Sequence, residues 1–246
     1  MSKNVDLMLK VLFERDQAVA DVFNFVFGKG SRLVEPSMLR PASERELALM
    51  RDANGKWEGR ERTCDVARRI QWDDSDPGKS LLLFIENQLH PHLLMPWRVM
   101  ELQDMSYERQ VRAAKELLHQ DDRRMDGVEF LRGVAREFRF ARVVTIVIYW
   151  GAEPWDVPLQ FADMLEPVPF PELQRFEPRL EYPLLIPSEI SREILQGSEH
   201  NLNSVLNLMG ALKDRKQLEE LLRRNPSFQA MPRRLALGLL ELAGCQ

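Results

Sequence analysis

The stretch Ser80-Leu-Leu-Leu-Phe-Ile-Glu86-Asn-Gln88 decides how the rest of the chain is organised. Its run of Leu, Phe and Ile is typical of a strand covered on both sides. Alternation along a strand puts Glu86 and Gln88 on the same face as Phe84. A carboxylate and an amide are therefore predicted to share one face of a core strand, where an unpaired carboxylate is costly.

A second strand candidate, Arg62 to Gln71, precedes this stretch. The segment between them, Asp73-Asp-Ser-Asp-Pro-Gly-Lys79, is polar and contains Pro-Gly, which suits a turn. The two strands are therefore predicted to pair antiparallel, with Asp65 brought beside Glu86.

Two carboxylates on adjacent strands make a natural site for a hard cation that prefers oxygen ligands, and Mg²⁺ or Mn²⁺ fits best. An ion held by Asp65 and Glu86 can bind a scissile phosphate and lower the pKa of a water molecule. Gln88 can orient water or phosphate through hydrogen bonds, but its amide cannot act as a general base.

The residues after the Glu86 strand predict a helical crossover. Apolar spacing predicts a helix over Leu93 to Gln120 and a second one over Val128 to Phe140. The β-branched run Val143-Val-Thr-Ile-Val-Ile-Tyr-Trp150 then predicts another buried strand. Strand, helix and strand imply parallel pairing, so the chain is predicted to be an α/β protein with a mixed sheet flanked by helices.

The two ends of the chain are predicted to be mainly helical. An amphipathic helix is expected over Val5 to Phe27, followed by an irregular connector in which Glu44 to Met50 is a candidate for a short helix. Residues 1–165 are predicted to form the core domain. Repeated prolines predict an extended strap over 166–187, and 188–246 are predicted to be a helical C-terminal extension.

Composition excludes several classes of protein. The formal charge of −4, from 34 Lys and Arg against 38 Asp and Glu, gives no overall basic excess, so contact with phosphate must use a local patch. The cysteines, Cys64 and Cys245, form no zinc motif and fit a reducing cytoplasm. No segment resembles a signal peptide or a membrane span, so a cytoplasmic protein without membrane contact is expected.

Several segments together resemble the recombination-promoting nuclease family, whose members are also called YhgA-like transposases, within the PD-(D/E)xK nuclease superfamily. The resemblance covers about the first two-thirds of the chain, in the family's order. It rests on Asp6-Leu-Met-Leu-Lys10, Asn24-Phe-Val-Phe-Gly28, Arg62-Thr-Cys-Asp65-Val, Ile85-Glu-Asn-Gln88, Met95-Pro-Trp-Arg98-Val-Met, Tyr107-Glu-Arg-Gln110, and Ile148-Tyr-Trp-Gly151 through Trp155-Asp-Val-Pro158.

The resemblance implies a restriction-endonuclease-like core and Mg²⁺-dependent cleavage of DNA. Asp65 and Glu86 would be the metal ligands, with Gln88 in place of the usual lysine. Asp6 and Lys10 would be auxiliary residues, and Arg98 would hold a phosphate. Double-strand cleavage requires two active sites, for which a homodimer is the simplest source.

Other interpretations stay open at this point. The chain could be a catalytically weak or inactive relative that binds DNA or a protein through the same surface. A transposase proper is disfavoured because no second basic module is found. The face formed by Arg132, Arg136 and Arg139 is interpreted as solvated rather than DNA-binding, and His90 and His92 as loop residues rather than metal ligands.

Overall fold

A computed structural model describes residues 3–28, 31–51, 57–76, 78–120, 134–135, 137–151 and 153–189 of the chain. Three α-helices and seven strands lie within these ranges. In chain order they are α1 (Lys3–Phe13), α2 (Asp16–Phe27), β1 (Leu39–Pro41), β2 (Arg45–Arg51), β3 (Trp57–Thr63), β4 (Val66–Gln71), β5 (Ser80–Gln88), α3 (Met95–Gln120), β6 (Arg142–Tyr149) and β7 (Leu184–Leu185).

Five strands form a mixed sheet in the order β1-β4-β5-β6-β7, and β2 and β3 form a separate antiparallel pair. Strand β5 lies at the centre of the larger sheet. It pairs antiparallel with β4, where Val66 lies opposite Ile85, and parallel with β6, where Glu86 lies opposite Val147. Both predicted pairings are confirmed, and so is the α/β class with a mixed sheet flanked by helices.

The two faces of β5 contact different helices, as its apolar residues on both faces predict. Leu83 and Ile85 pack in a cluster with the buried residues of α1 and α2. Leu82 and Phe84 pack with Leu102 of α3 on the opposite face. The next residue on the α3 face is Glu86, which is therefore buried between the sheet and α3.

The single helix predicted over Val5 to Phe27 is instead two helices, which break at Glu14 and Arg15. Arg68 of β4 accounts for the break. Its Nη2 donates to the backbone oxygen of Phe13 at the end of α1, and its Nε donates to Asp16 Oδ1 at the start of α2. The guanidinium satisfies a backbone oxygen at the end of α1 and pairs with the side chain of the first residue of α2, so it joins the two helices at a break where the apolar spacing continues.

The short helix predicted over Glu44 to Met50 is wrong, because this segment forms strand β2. The residues are good helix formers, but pairing with β3 along all seven residues of β2 overrides that weak local preference.

The strand predicted over Arg62 to Gln71 is interrupted at Cys64 and Asp65. Residues up to Thr63 belong to the small sheet, and residues from Val66 belong to the large one. The interruption places Asp65 at the junction of the two sheets.

The second predicted helix, Val128 to Phe140, falls mostly outside the described residues, including Arg132 and Arg136. Its described end is not helical. The side-chain amide of Gln110 on α3 accepts a hydrogen bond from the backbone N–H of Ala141 and donates one to the backbone oxygen of Ala141. These two bonds hold the backbone at Ala141 extended rather than helical. Arg139 is exposed.

Part of the predicted strap contributes to the large sheet. Leu184 and Leu185 form β7, which pairs parallel with β6, and Tyr182 is buried beside it. The rest of 166–187 contains a 3₁₀ turn at Pro171–Phe176, and a second one, Pro187–Glu189, begins at its last residue. The predicted C-terminal extension lies outside the described residues from 190 onward. Within the described part of the chain, no helix has the length and apolar character needed to cross a membrane.

Candidate functional site

Glu86 lies near the C-terminal end of the central strand, and its side chain is 2% exposed. Arg98, in the first turn of α3, places its Nη2 2.9 Å from Glu86 Oε2. This contact is an ion pair, but it lacks the alignment of a hydrogen bond, and neither Glu86 oxygen accepts one from a described residue. A buried carboxylate with so few donors is unusual in a folded core.

Burial raises the pKa of Glu86 to about 7, against an ordinary value of 4.5. The charge of Arg98 and its direct side-chain contact with the carboxylate lower the pKa, and the negative charge of Asp65 adds to the increase. Since burial outweighs the arginine, the carboxylate is close to half protonated near neutral pH. A stronger cation than Arg98 would be needed to keep it fully charged.

Asp65 lies immediately before β4, and extending the β4–β5 register by one residue puts it opposite Glu86. Its Oδ2 accepts a hydrogen bond of 2.7 Å from the backbone N–H of Asn87. Its other oxygen, Oδ1, accepts none from a described residue. Because Asp65 lies at the strand break, its Oδ2 caps the end of the β4–β5 ladder. Its Oδ1 stays available to a ligand.

Asp6 and Lys10, the predicted auxiliary pair, border the same crevice as Asp65 and Asn87. Lys10 Nζ lies 3.0 Å from Asp6 Oδ2, one helical turn away on α1. The pKa of Lys10 is raised mainly by Asp6, with a smaller contribution from the charge of Asp65. The structure thus brings the auxiliary pair next to Asp65, on the face of the sheet that contacts α1.

Gln88 is the last residue of β5, and its backbone oxygen accepts a hydrogen bond of 2.8 Å from the Trp150 N–H. Its side chain makes no hydrogen bond with another described residue. Beside it, the indole of the buried Trp150 donates to Asn87 Oδ1 at 2.8 Å, which fixes the adjacent ends of β5 and β6. Gln88 is therefore held by its backbone and has its amide free.

The sequence interpretation missed a second buried carboxylate, Glu101 of α3, and its partner Arg62 of β3. Arg62 Nε donates to Glu101 Oε2 at 2.7 Å, and its Nη2 lies 2.6 Å from the same oxygen. The spacing of Arg98 and Glu101 was an available signal, since residues three apart share a helix face.

Cys64 is buried close to Glu86 and Asp65. Burial raises the pKa of its thiol above the ordinary value, and the charge of Glu86 raises it further. The thiol is therefore protonated at neutral pH.

The fit of this site to a cation depends on two carboxylates. Among the described residues, no group of three or more His, Cys, Asp or Glu side chains could hold a metal ion. Mg²⁺ commonly uses only one or two carboxylates, with water and substrate phosphate as the remaining ligands. The undersatisfied oxygens of Glu86 fit that limited role. Asp65 is close enough for its charge to raise the pKa of Glu86, and the crevice that it borders lies on the opposite, α1 face of the sheet. His90 and His92 are exposed loop residues.

Comparison with protein families, with curated proteins and with solved structures found no match for this chain.

Proposed function

We propose that this chain is a Mg²⁺-dependent DNA endonuclease that hydrolyses phosphodiester bonds on a restriction-endonuclease-like core. The observation that carries the proposal is Glu86, a carboxylate 2% exposed at the end of the central strand with no aligned hydrogen-bond donor. Carboxylates left in that state cluster at functional sites, because a structural role would have supplied them with partners.

In this proposal Asp65 and Glu86 hold Mg²⁺, or Mn²⁺ in its place. The ion supplies Lewis-acid activation of water and offsets charge on the scissile phosphate. Gln88 orients water or phosphate with its free amide, and Arg98 contacts the phosphate. Asp6 and Lys10 act from α1 on the opposite side of Asp65. DNA as the partner, a homodimer that cuts both strands, and a cytoplasmic location belong to the same proposal.

The test is incubation of the purified protein with plasmid DNA, with Mg²⁺ or with EDTA. We expect cleavage in Mg²⁺ only, and loss of cleavage in Asp65→Ala. A matched control is Asp74→Ala, because Asp74 is an aspartate with an 83% exposed side chain in the turn between β4 and β5. Equal cleavage by wild type and Asp65→Ala would contradict the proposal, as would no cleavage by wild type.

A second candidate function is a DNA- or protein-binding module with little or no catalytic activity. The ion pair between Arg98 and Glu86 favours it, because a guanidinium already provides a cation where the metal would be. In that case plasmid DNA would stay intact in Mg²⁺. Glu86→Gln would then change folding stability but neither divalent-ion binding nor cleavage.

A further inference from the structure

Arg98 is a cation at a helix N-terminus, a position that an anion beside it stabilises. It lies in the first turn of α3, a turn that contains no acidic residue. A positive side chain near a helix N-terminus is disfavoured by the helix dipole, whose positive end attracts anions. Arg98 is 40% exposed, so its guanidinium has room to move from Glu86 toward solvent.

Glu86 cannot be well bound by Arg98 and by a divalent ion at the same time. The guanidinium contacts Oε2, one of the two oxygens that Glu86 offers to the proposed ion. Two cations at one carboxylate also repel each other in a site with little water. Binding of the ion therefore has to weaken or break the ion pair.

On the same face of α3, the described acidic neighbour of Arg98 is already paired with another arginine. Glu101, one turn further along α3, is already bound through a single oxygen to two nitrogens of Arg62. A phosphate is the anion best matched to a guanidinium at a helix N-terminus.

We propose that Arg98 is an internal counterion that a divalent ion displaces from Glu86, and that displacement makes the guanidinium available to a DNA phosphate. This inference rests on the proposed function, because it requires the ion to bind at Glu86. Arg98 is then a positioning residue that couples metal binding to DNA binding. By linkage, each ligand increases the affinity for the other.

The first test measures Mn²⁺ affinity by calorimetry in the absence of DNA. Arg98→Gln should bind Mn²⁺ about tenfold more tightly than wild type, because competition and repulsion are both removed. Arg62→Gln is the matched control, since Arg62 is 44% exposed and is also paired with a buried glutamate. It should leave Mn²⁺ affinity unchanged.

The second test measures binding of a fluorescent DNA duplex, with EDTA or with Ca²⁺. Wild type should bind several-fold more tightly in Ca²⁺, and Arg98→Gln should lose most of this increase. Glu86→Gln releases the arginine without a metal, so it should bind DNA more tightly than wild type in EDTA. The double variant Glu86→Gln with Arg98→Gln should lose that gain, which separates release of the arginine from the general loss of negative charge.

The outcomes distinguish this inference from the proposed function. If wild type binds Mn²⁺ and Arg98→Gln binds it no more tightly, the counterion role is overturned and the nuclease proposal stands. If wild type binds no Mn²⁺, both are overturned. If Arg98→Gln does not fold, Glu86→Gln and wild type still decide the question, because equal DNA binding by the two in EDTA overturns the inference.

Discussion

Glu86 and Glu101 are both buried glutamates, and each forms an ion pair with a half-exposed arginine between α3 and the strands. The two pairs differ in their hydrogen bonding. Glu101 is 6% exposed and accepts an aligned hydrogen bond from Arg62 Nε, with Nη2 close to the same oxygen. Glu86 is 2% exposed and has one contact, from Arg98 Nη2, without hydrogen-bond alignment. The Glu101 carboxylate therefore has an aligned hydrogen-bond donor, whereas the Glu86 carboxylate has none among the described residues. Two glutamates buried to a similar depth therefore differ in role: Glu101 is positioned to stabilise the fold, and Glu86 can still bind a ligand.

The largest expected difference between the two glutamates is in catalysis. Glu86→Gln should reduce Mg²⁺-dependent plasmid cleavage by more than about 100-fold, because loss of a metal ligand costs more than loss of the groups that orient one. Glu101→Gln should keep cleavage within about tenfold of wild type, since it leaves both proposed ligands in place. Initial rates on supercoiled plasmid measure both. A larger loss in the Glu101 variant would reverse the assignment of the two glutamates.

A second difference is in the dependence of stability on pH. The folded-state pKa of Glu86 is raised to about 7 from 4.5, so the folded protein binds more protons than the unfolded chain between these values. The contribution of Glu86 to stability is therefore fully present below pH 4.5 and is lost as pH rises through about 7. The loss is on the order of a few kcal/mol.

Urea unfolding at pH 5, 6, 7 and 8 measures this dependence. The charged groups that act on Glu86 are Arg98 and Asp65. Glu86→Gln should flatten the decline, whereas Glu101→Gln should retain it. Parallel curves for wild type and Glu86→Gln would show that Glu86 is not the group that titrates.

A smaller difference is expected when the arginines are replaced. Arg62→Gln removes two contacts from Glu101 and should lower the free energy of unfolding by about 1–2 kcal/mol, a value reduced because Arg62 is 44% exposed. Arg98→Gln should cost less than about 1 kcal/mol at pH 6, because Glu86 can take up a proton there. Urea unfolding of both variants at pH 6 compares them. A greater loss from Arg98→Gln would mean that the Glu86 pair is the more important one for stability.

The sequence predicts the core strands because their signals are local. The apolar run at Ser80 to Gln88, the polar turn before it and the β-branched run after α3 specify β5, its partners and both pairing directions. The strand formed by Arg45–Arg51 was predicted as a helix because its partner, and not its composition, makes it a strand.

The contacts of the site depend on separations that no local pattern encodes. Arg62 and Glu101 are 39 residues apart, and Asp65 and Asn87 are 22 apart. Sequence spacing predicts that Glu86 lies on a buried face. It does not predict the contact between Arg98 and the Glu86 carboxylate, because that contact depends on where α3 packs. Asp65, Glu86 and Gln88 as catalytic residues, with Mg²⁺ as the metal, stay predictions.

The smallest expected effect comes from substitutions at Gln88. Gln88→Lys adds a charge next to Glu86 and not next to Glu101, so it also tests the difference between the two glutamates. Gln88 is two residues beyond Glu86 on the same strand, and its amide is free of other described residues. Gln88→Lys places an ammonium on the side of Glu86, where the Glu-x-Lys nucleases that the sequence resembles have a lysine, so cleavage should be kept or raised by a few-fold. Gln88→Leu removes both hydrogen-bonding groups and should lower cleavage by about tenfold or less. Initial rates of plasmid cleavage in Mg²⁺ rank the three proteins, and urea unfolding checks that none has lost its fold. If all three cleave equally, Gln88 has only a backbone role at the end of β5. If Gln88→Lys is instead inactive, a second positive charge beside Glu86 excludes the ion, as Arg98 is proposed to do before the ion binds.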